Sequence, residues 1–380
     1  MRRNALPLGL MLALLPPATL SAAEPGTVSV GGDARGGYFS RERDDRDGAS
    51  SDDSDWRVRL RAGVTWQATE ALSTNARFAG RYSTHDTNNE HFEFFTTIPA
   101  DDGLRFGDST LDELYLRYQP SARWDLKLGR MQTKFELEGV AKKSLSRNDS
   151  PSTDITWTDG LHLRYTDLGG WDYHAILQYS EAEGPTTVRR APLAFTDAAS
   201  RATYYIGMEH KDPEGLLLQR GWDITYIPQA LHSEGVGAGP TDDYVALSGR
   251  LALQWPLTHG MRFVWAGEAG YAPTRPTEAA IGLPGVGDAS GTAWQTSVNL
   301  MDLAPGHNIG VVYGQVGGGW LLSPDFGNNQ ELLEARYQWR LSKTQSFEAR
   351  IRGRRDLERH ATALRKREDT DYYLRYTLTF

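Results

Sequence analysis

From Asp55 to Gln67 apolar and polar positions alternate without a break. Trp56, Val58, Leu60, Ala62, Val64 and Trp66 share one phase; Arg57, Arg59, Arg61, Gly63, Thr65 and Gln67 share the other. Period-two alternation predicts an extended strand with one apolar and one wet face. The two tryptophans lie ten residues apart. At ~3.3 Å per residue and a tilt of ~40° they span roughly 25 Å, the height of the apolar band on a transmembrane barrel with aromatic rims. An arginine turned to lipid costs ~2–4 kcal/mol near the midplane, so the phase is fixed, with the guanidinium groups inside.

The same kind of strand recurs along the chain, separated by two kinds of connection. Short ones hold turn chemistry, as in Gln119-Pro120-Ser121, Asp167-Leu168-Gly169-Gly170, Asp212-Pro213-Glu214-Gly215 and Ala304-Pro305-Gly306. Long polar ones cover about 41–54, 85–108, 138–155, 182–201, 229–242, 273–290, 318–329 and 358–369. The two kinds alternate strictly, which predicts about sixteen strands with both chain ends on one side. The expected fold is all-β: a transmembrane antiparallel up-and-down β-barrel with short periplasmic turns and long extracellular loops. Gly129 interrupts the alternation within 124–137 and predicts a bulge there.

Composition agrees. Mean hydropathy is −0.52, too polar for a helical membrane bundle. Yet the 380 residues include 11 Trp, 17 Tyr and 12 Phe, as expected where only alternate residues meet lipid. Arg2 and Arg3, the apolar run Ala5 to Leu15 and Ser21-Ala22-Ala23 read as a cleaved secretory signal over 1–23. Residues 24–380 then form a single barrel domain. With no cysteine, a lipoprotein anchor, disulfides and thiolate metal sites are excluded. The net charge of −8 argues against nucleic acid. No histidine spacing suits a metal, so neither metal nor cofactor is expected.

A barrel of about sixteen strands leaves an aqueous channel. Its inward phase is rich in arginine: Arg35, Arg57, Arg59, Arg61, Arg77 and Arg81 early in the chain, then Arg336, Arg340, Arg350, Arg352, Arg354 and Arg375. Closure sets the last strands beside the first, so these form one wall. The inward acids noted on the same strands are few: Asp33, Glu334 and Glu348. The facing strands are milder, with His162, Arg164, His174, Gln178, Asp223 and Glu268. Such a wall concentrates anions and repels cations, and the guanidinium fork suits carboxylate and phosphate. Three outcomes stay open: anion preference, little selectivity if acidic loop residues oppose the wall, or a dedicated anionic solute. An enzyme would need nucleophile, base and acid on adjacent strands. His162 and His174, with Asp172 and Ser180 nearby, read more simply as polar lumen groups, and no catalysis is expected.

The last strand carries the sharpest motif. Tyr372, Leu374, Tyr376, Leu378 and terminal Phe380 alternate with Tyr373, Arg375, Thr377 and Thr379. Here the chain resembles the Gram-negative outer-membrane porins, whose final strand ends in an aromatic residue. The resemblance implies an outer-membrane location among lipid and lipopolysaccharide, an assembly signal read by the barrel-assembly machinery, and passage of small anionic or neutral solutes. It also implies that the third long loop folds inward as a constriction. By position that is 138–155, with Lys142, Lys143 and Arg147 beside Glu136, Glu138 and Asp149. A solvated external loop is the alternative. The acidic loop signature of the general porins is missing here. In trimeric porins the second long loop, here His85 to Asp108 with Phe92, Phe94 and Phe95, latches onto a neighbour. A homotrimer and self-packing over the mouth are equal readings. The arginine wall is similar to those of phosphate-selective porins and, in part, of alginate-export barrels.

Overall fold

The computed structural model describes residues 24–84, 93–94, 105–106, 109–180, 193, 201–235 and 239–380. The signal segment 1–23 lies outside them, as do Phe92, Phe95 and the side chain of Phe94. Eighteen strands form one hydrogen-bonded sheet. Two of them, Glu93–Phe94 and Arg105–Phe106, are two residues long and belong to the second long connection. The other sixteen build the wall. They are β1 (Val28–Asp44), β2 (Ser50–Gln67), β3 (Leu72–Ser83), β4 (Ser109–Ser121), β5 (Trp124–Met131), β6 (Thr158–Leu168), β7 (Trp171–Ser180) and β8 (Arg201–Lys211). Then come β9 (Gln219–His232), β10 (Thr241–Pro256), β11 (Arg262–Tyr271), β12 (Thr292–Ala304), β13 (His307–Val316), β14 (Gln330–Arg340), β15 (Gln345–Asp356) and β16 (Glu368–Thr379).

Each strand pairs antiparallel with its neighbours in sequence. β1 closes on β16 from Asp33↔Thr379 to Asp44↔Glu368. Closure leaves no free sheet edge, as a wall in contact with lipid requires. The dyad phase is as the sequence predicts: Trp56, Leu60, Val64 and Trp66 are exposed on the outer wall, while Arg59 and Arg61 are buried inside. Aromatic side chains pair across strands at both rims. Tyr38–Trp56 (5.6 Å) and Trp294–Tyr313 (5.5 Å) mark the long-loop end. Trp124–Tyr165 (4.6 Å) and Trp255–Phe263 (5.5 Å) mark the turn end.

The ends of several elements differ from expectation. β1 and β2 stay paired out to Asp44↔Ser50, so the first connection shrinks from 41–54 to a tip at 45–49. Above the apolar band both strand faces are wet, and pairing continues after the alternation has gone. For the same reason β9 and β10 extend to His232↔Thr241. Gly129 makes no bulge: it pairs with Tyr115 and Gly160 without a slip in register. Its φ is 127°, and a Cβ there would stand 2.3 Å from the Leu114 carbonyl oxygen, which is why glycine occupies the position. The irregularity on this pair lies nearer the turn, between Tyr118 and Ser121.

Candidate functional site

The third long connection, 132–157, turns into the barrel as a hairpin. Phe135 N donates to Arg147 O (2.9 Å), Leu137 N to Lys143 O (2.9 Å) and Asp149 N to Thr133 O (3.0 Å). The hairpin crosses to the far wall, where its amides meet inward side chains. Glu138 N donates to Gln219 Oε1, Val140 N to Asn299 Oδ1 and Leu145 N to Glu268 Oε2, each at 2.9 Å. One face of the hairpin packs: Phe135 stacks on Tyr205 at 4.7 Å. The other face, with Lys134, Glu136, Glu138 and Lys142, borders open space.

Two predicted constriction residues sit elsewhere. Arg147 and Asp149 are buried behind the hairpin. Arg147 donates to Gln178 Oε1 (2.7 Å) and Thr158 Oγ1 (3.0 Å), and Asp149 accepts from Thr133 N (2.7 Å). Their polarity suggested the lumen, but an inserted hairpin has a wall side as well as a water side. Lys143 does border the space and is held by Glu334 at 2.9 Å.

The seventh connection, 317–329, expected to be a long polar extracellular loop, also folds inward. Trp320 Nε1 donates to Leu145 O (2.9 Å) and Ser323 Oγ to Ser144 O (2.8 Å). Trp320, Leu321, Leu322 and Phe326 join Leu145, Tyr244 and Leu332 in the largest buried apolar cluster. The apolar run Trp320-Leu321-Leu322 within a nominal loop was the available signal. Gly270 makes room for it: a Cβ there would stand 2.4 Å from the Trp320 ring.

What remains is a cavity of about 1010 Å³ between the hairpin and the wall of β1, β2 and β14–β16. Its lining runs from Arg43 and Asp53, near the long-loop end, to Arg262 and Arg340, near the turns. Fourteen Arg and Lys line it against eight Asp and Glu. Of the twelve expected arginines, Arg35, Arg57, Arg336, Arg340, Arg350, Arg352, Arg354 and Arg375 lie there. Arg41, Arg43, Arg262 and Lys134 join them, unforeseen from sequence because three sit at strand ends and the fourth in the hairpin.

Arg59, Arg61, Arg77 and Arg81 are not on the cavity. Arg59, fully buried, donates to Ser150 O (3.3 Å) and Asp154 O (3.0 Å) and pairs with Asp33 (2.7 Å). Arg61 reaches Ser150 Oγ and Asp112, both at 2.6 Å. Arg77 takes Asp112 with both arms of its fork, at 2.9 Å each, and Arg81 takes Asp154 at 3.2 Å. These four fasten the root of the hairpin and its acid neighbours.

On the cavity side the acids are outnumbered. Asp371 is shared by Arg350, Arg352 (2.7 Å) and Arg354 (3.5 Å). Asp369 is shared by Arg41 (3.0 Å), Arg43 (3.1 Å), Arg367 (3.6 Å) and Arg354 (3.7 Å). Glu348 holds Arg375 (2.5 Å) and Arg336 (3.7 Å), and Glu334 holds Arg336 (2.6 Å), Lys143 (2.9 Å) and Arg350 (4.0 Å). With Asp45 beside Arg43 (3.8 Å) and Asp325 beside Lys143 (3.9 Å), nine cations thus share six carboxylates. The ring of Tyr373 stands among them, with guanidiniums of Arg350, Arg375 and Arg336 at 4.1, 5.0 and 5.8 Å, and its hydroxyl donates to Glu348 (3.0 Å). Across the cavity, Lys134 touches water but is enclosed by the wall. Burial pulls its ammonium down to about 8, with Glu136 opposing and Arg35, Arg59 and Arg61 adding to the effect. Burial also raises the Glu136 carboxyl, against the pull of Lys134 and Lys142.

The histidine cluster weighed for catalysis is spoken for. His162 Nε2 and His174 Nδ1 share a hydrogen bond at 3.1 Å, and Asp172 is held by Arg164 at 2.6 Å.

No protein-family model matches the chain, and no curated protein matches it. Solved structures do. Acinetobacter baumannii OccAB2 is similar at 14% identity over 93% of this chain and 98% of its own, with a TM-score of 0.53. Pseudomonas putida OprB is similar at 8% identity over 93% and 94%, with a TM-score of 0.59. The anion-selective porin from Comamonas acidovorans is similar at 10% identity over 93% and 100%, with a TM-score of 0.52. At these identities the likeness is one of fold: the chain has the closed sixteen-stranded barrel of the porins.

Proposed function

We propose that the chain is a Gram-negative outer-membrane porin, a passive channel for small hydrophilic solutes that prefers anions. It is a channel and not an enzyme. The segment 1–23 directs export and is removed, and the strand ending in Phe380 guides assembly into the membrane. One observation carries the reading: the cavity beside the hairpin, whose lining reaches from near the long-loop end to near the turns, bears fourteen cationic side chains against eight acidic ones. The chain as a whole is acidic, at −8, so the lumen's sign runs against the protein's own. Confined by low-dielectric walls, that excess raises local anion concentration. The Comamonas anion-selective porin has the same fold and supports the preference by analogy.

Purified protein in a planar bilayer gives stepwise conductance, and in a salt gradient the reversal potential lies on the chloride side. Folded barrel that never conducts removes the channel reading. Conductance with a reversal potential on the potassium side removes the anion preference alone.

A further inference from the structure

We propose that the outer wall carries a binding site for an anionic phospholipid headgroup at its turn-end rim, built on Arg220. The proposal rests on the membrane reading above. Arg220 opens β9 in the outward phase, two residues before exposed Trp222. It pairs across the ladder with His210 of β8. Trp171, at the start of β7, meets the His210 ring edge-on at 5.6 Å, and the Arg220 guanidinium lies over the Trp171 ring at 4.7 Å. Three strands thus present one cation, one imidazole and one indole at the level where interfacial aromatic residues sit.

This arginine differs from its counterpart at the opposite rim. Arg355, also outward, is bound to the Glu331 carboxylate. Arg220 has no ion pair and no hydrogen bond to any described residue. Its Nε and the Nδ1 of His210 are both buried without a hydrogen-bond partner among the described residues. A cation on a lipid-facing wall is tolerated near the interface but gains nothing there by itself. The indole contact restrains the guanidinium, and its two terminal nitrogens make no hydrogen bond to any described residue. A planar fork held in that way matches a phosphodiester, with two parallel charge-assisted hydrogen bonds. Exposed Leu216 and Trp222 flank it with apolar surface suited to acyl chain rather than to a bare ion. The occupant is therefore a phospholipid, and an anionic one, because the site adds a positive charge and no acid.

Native mass spectrometry of the intact barrel tests this, with phosphatidylglycerol, phosphatidylcholine or inorganic phosphate added. The wild type retains phosphatidylglycerol in preference to phosphatidylcholine, and inorganic phosphate does not displace it. Arg220→Gln weakens retention at least about tenfold, as loss of a charged bidentate pair implies. Arg220→Lys keeps the charge without the fork and falls between. Equal retention by wild type and Arg220→Gln, equal retention of the two lipids, or displacement by inorganic phosphate overturns the proposal. Bilayer conductance of the same preparation separates the two readings. A silent barrel that still retains phosphatidylglycerol keeps the site and removes the channel; normal conductance without selective retention does the reverse.

Discussion

The two halves of the barrel interior use arginine for opposite ends. Against β6–β13 the space is filled. Arg250 lies between Asp223, Glu268 (3.6 Å) and Glu209 (3.8 Å), and Arg147 ends on Gln178 and the Tyr205 ring. Charge is matched there, and the third and seventh connections close over it. Against β14–β16 and β1 the nine cations have six acids, and the loops leave a cavity beside them instead of closing over it. The difference teaches that an inward arginine carries no function in itself. Its role follows from how many carboxylates stand within reach and whether a loop arrives to seal it. A matched, sealed guanidinium is structural, since breaking a buried pair costs about 3–5 kcal/mol. An outnumbered, wet one leaves a field that a passing ion feels.

The comparison can be broken most forcefully at the seal. Trp320→Ala removes the indole that clamps Leu145, at a cost of about 3–5 kcal/mol for so large a buried side chain. The hairpin then loses one of its far anchors, and single-channel conductance rises with greater current noise. An unchanged current trace means the hairpin is held without Trp320. A smaller effect sharpens the cationic half. Replacing Arg350, Arg352 and Arg354 together with Gln removes three charges and leaves Asp371, so the anion-to-cation permeability ratio falls towards or below one in a reversal-potential measurement. If the ratio holds, the surplus lies elsewhere, on Arg41, Arg43 or the hairpin lysines. The smallest effect is one proton. Lys134, with its ammonium at about 8, is mostly charged at pH 7 and mostly neutral at pH 9. Raising pH across that window therefore lowers anion preference slightly, and Lys134→Arg, charged throughout, flattens the profile. The same slope in both proteins excludes Lys134 as its source.

The wall was legible in the sequence because each strand crosses the same lipid height and repeats the same alternation. Trp56 and Trp66 marked both rims of one strand. The interior was less so. The inward phase of Arg59 and Arg350 reads identically along the chain, yet one is sealed under Ser150 and the other faces water. Their partners sit on adjoining or next-but-one strands, at registers that alternation alone does not set: Asp112 for Arg61 and Arg77, Asp369 and Asp371 for the wall. Asp371 shares the phase of Tyr373 and Arg375, so its direction could be read, but not that three guanidiniums converge on it. The third connection's inward fold followed from likeness to porins. The seventh had only its Trp-Leu-Leu run, and strand alternation gives no rule for loops that leave the sheet.

One contact also orders the molecule's construction in time. Leu145 and Trp320 stand 175 positions apart in the chain. Nothing made in the first half of synthesis can hold the hairpin tip, because its indole latch is not yet born. A barrel threaded from the N-terminus meets this latch only with the connection between β13 and β14; one threaded from the C-terminus holds the indole ready and waits for the 132–157 hairpin.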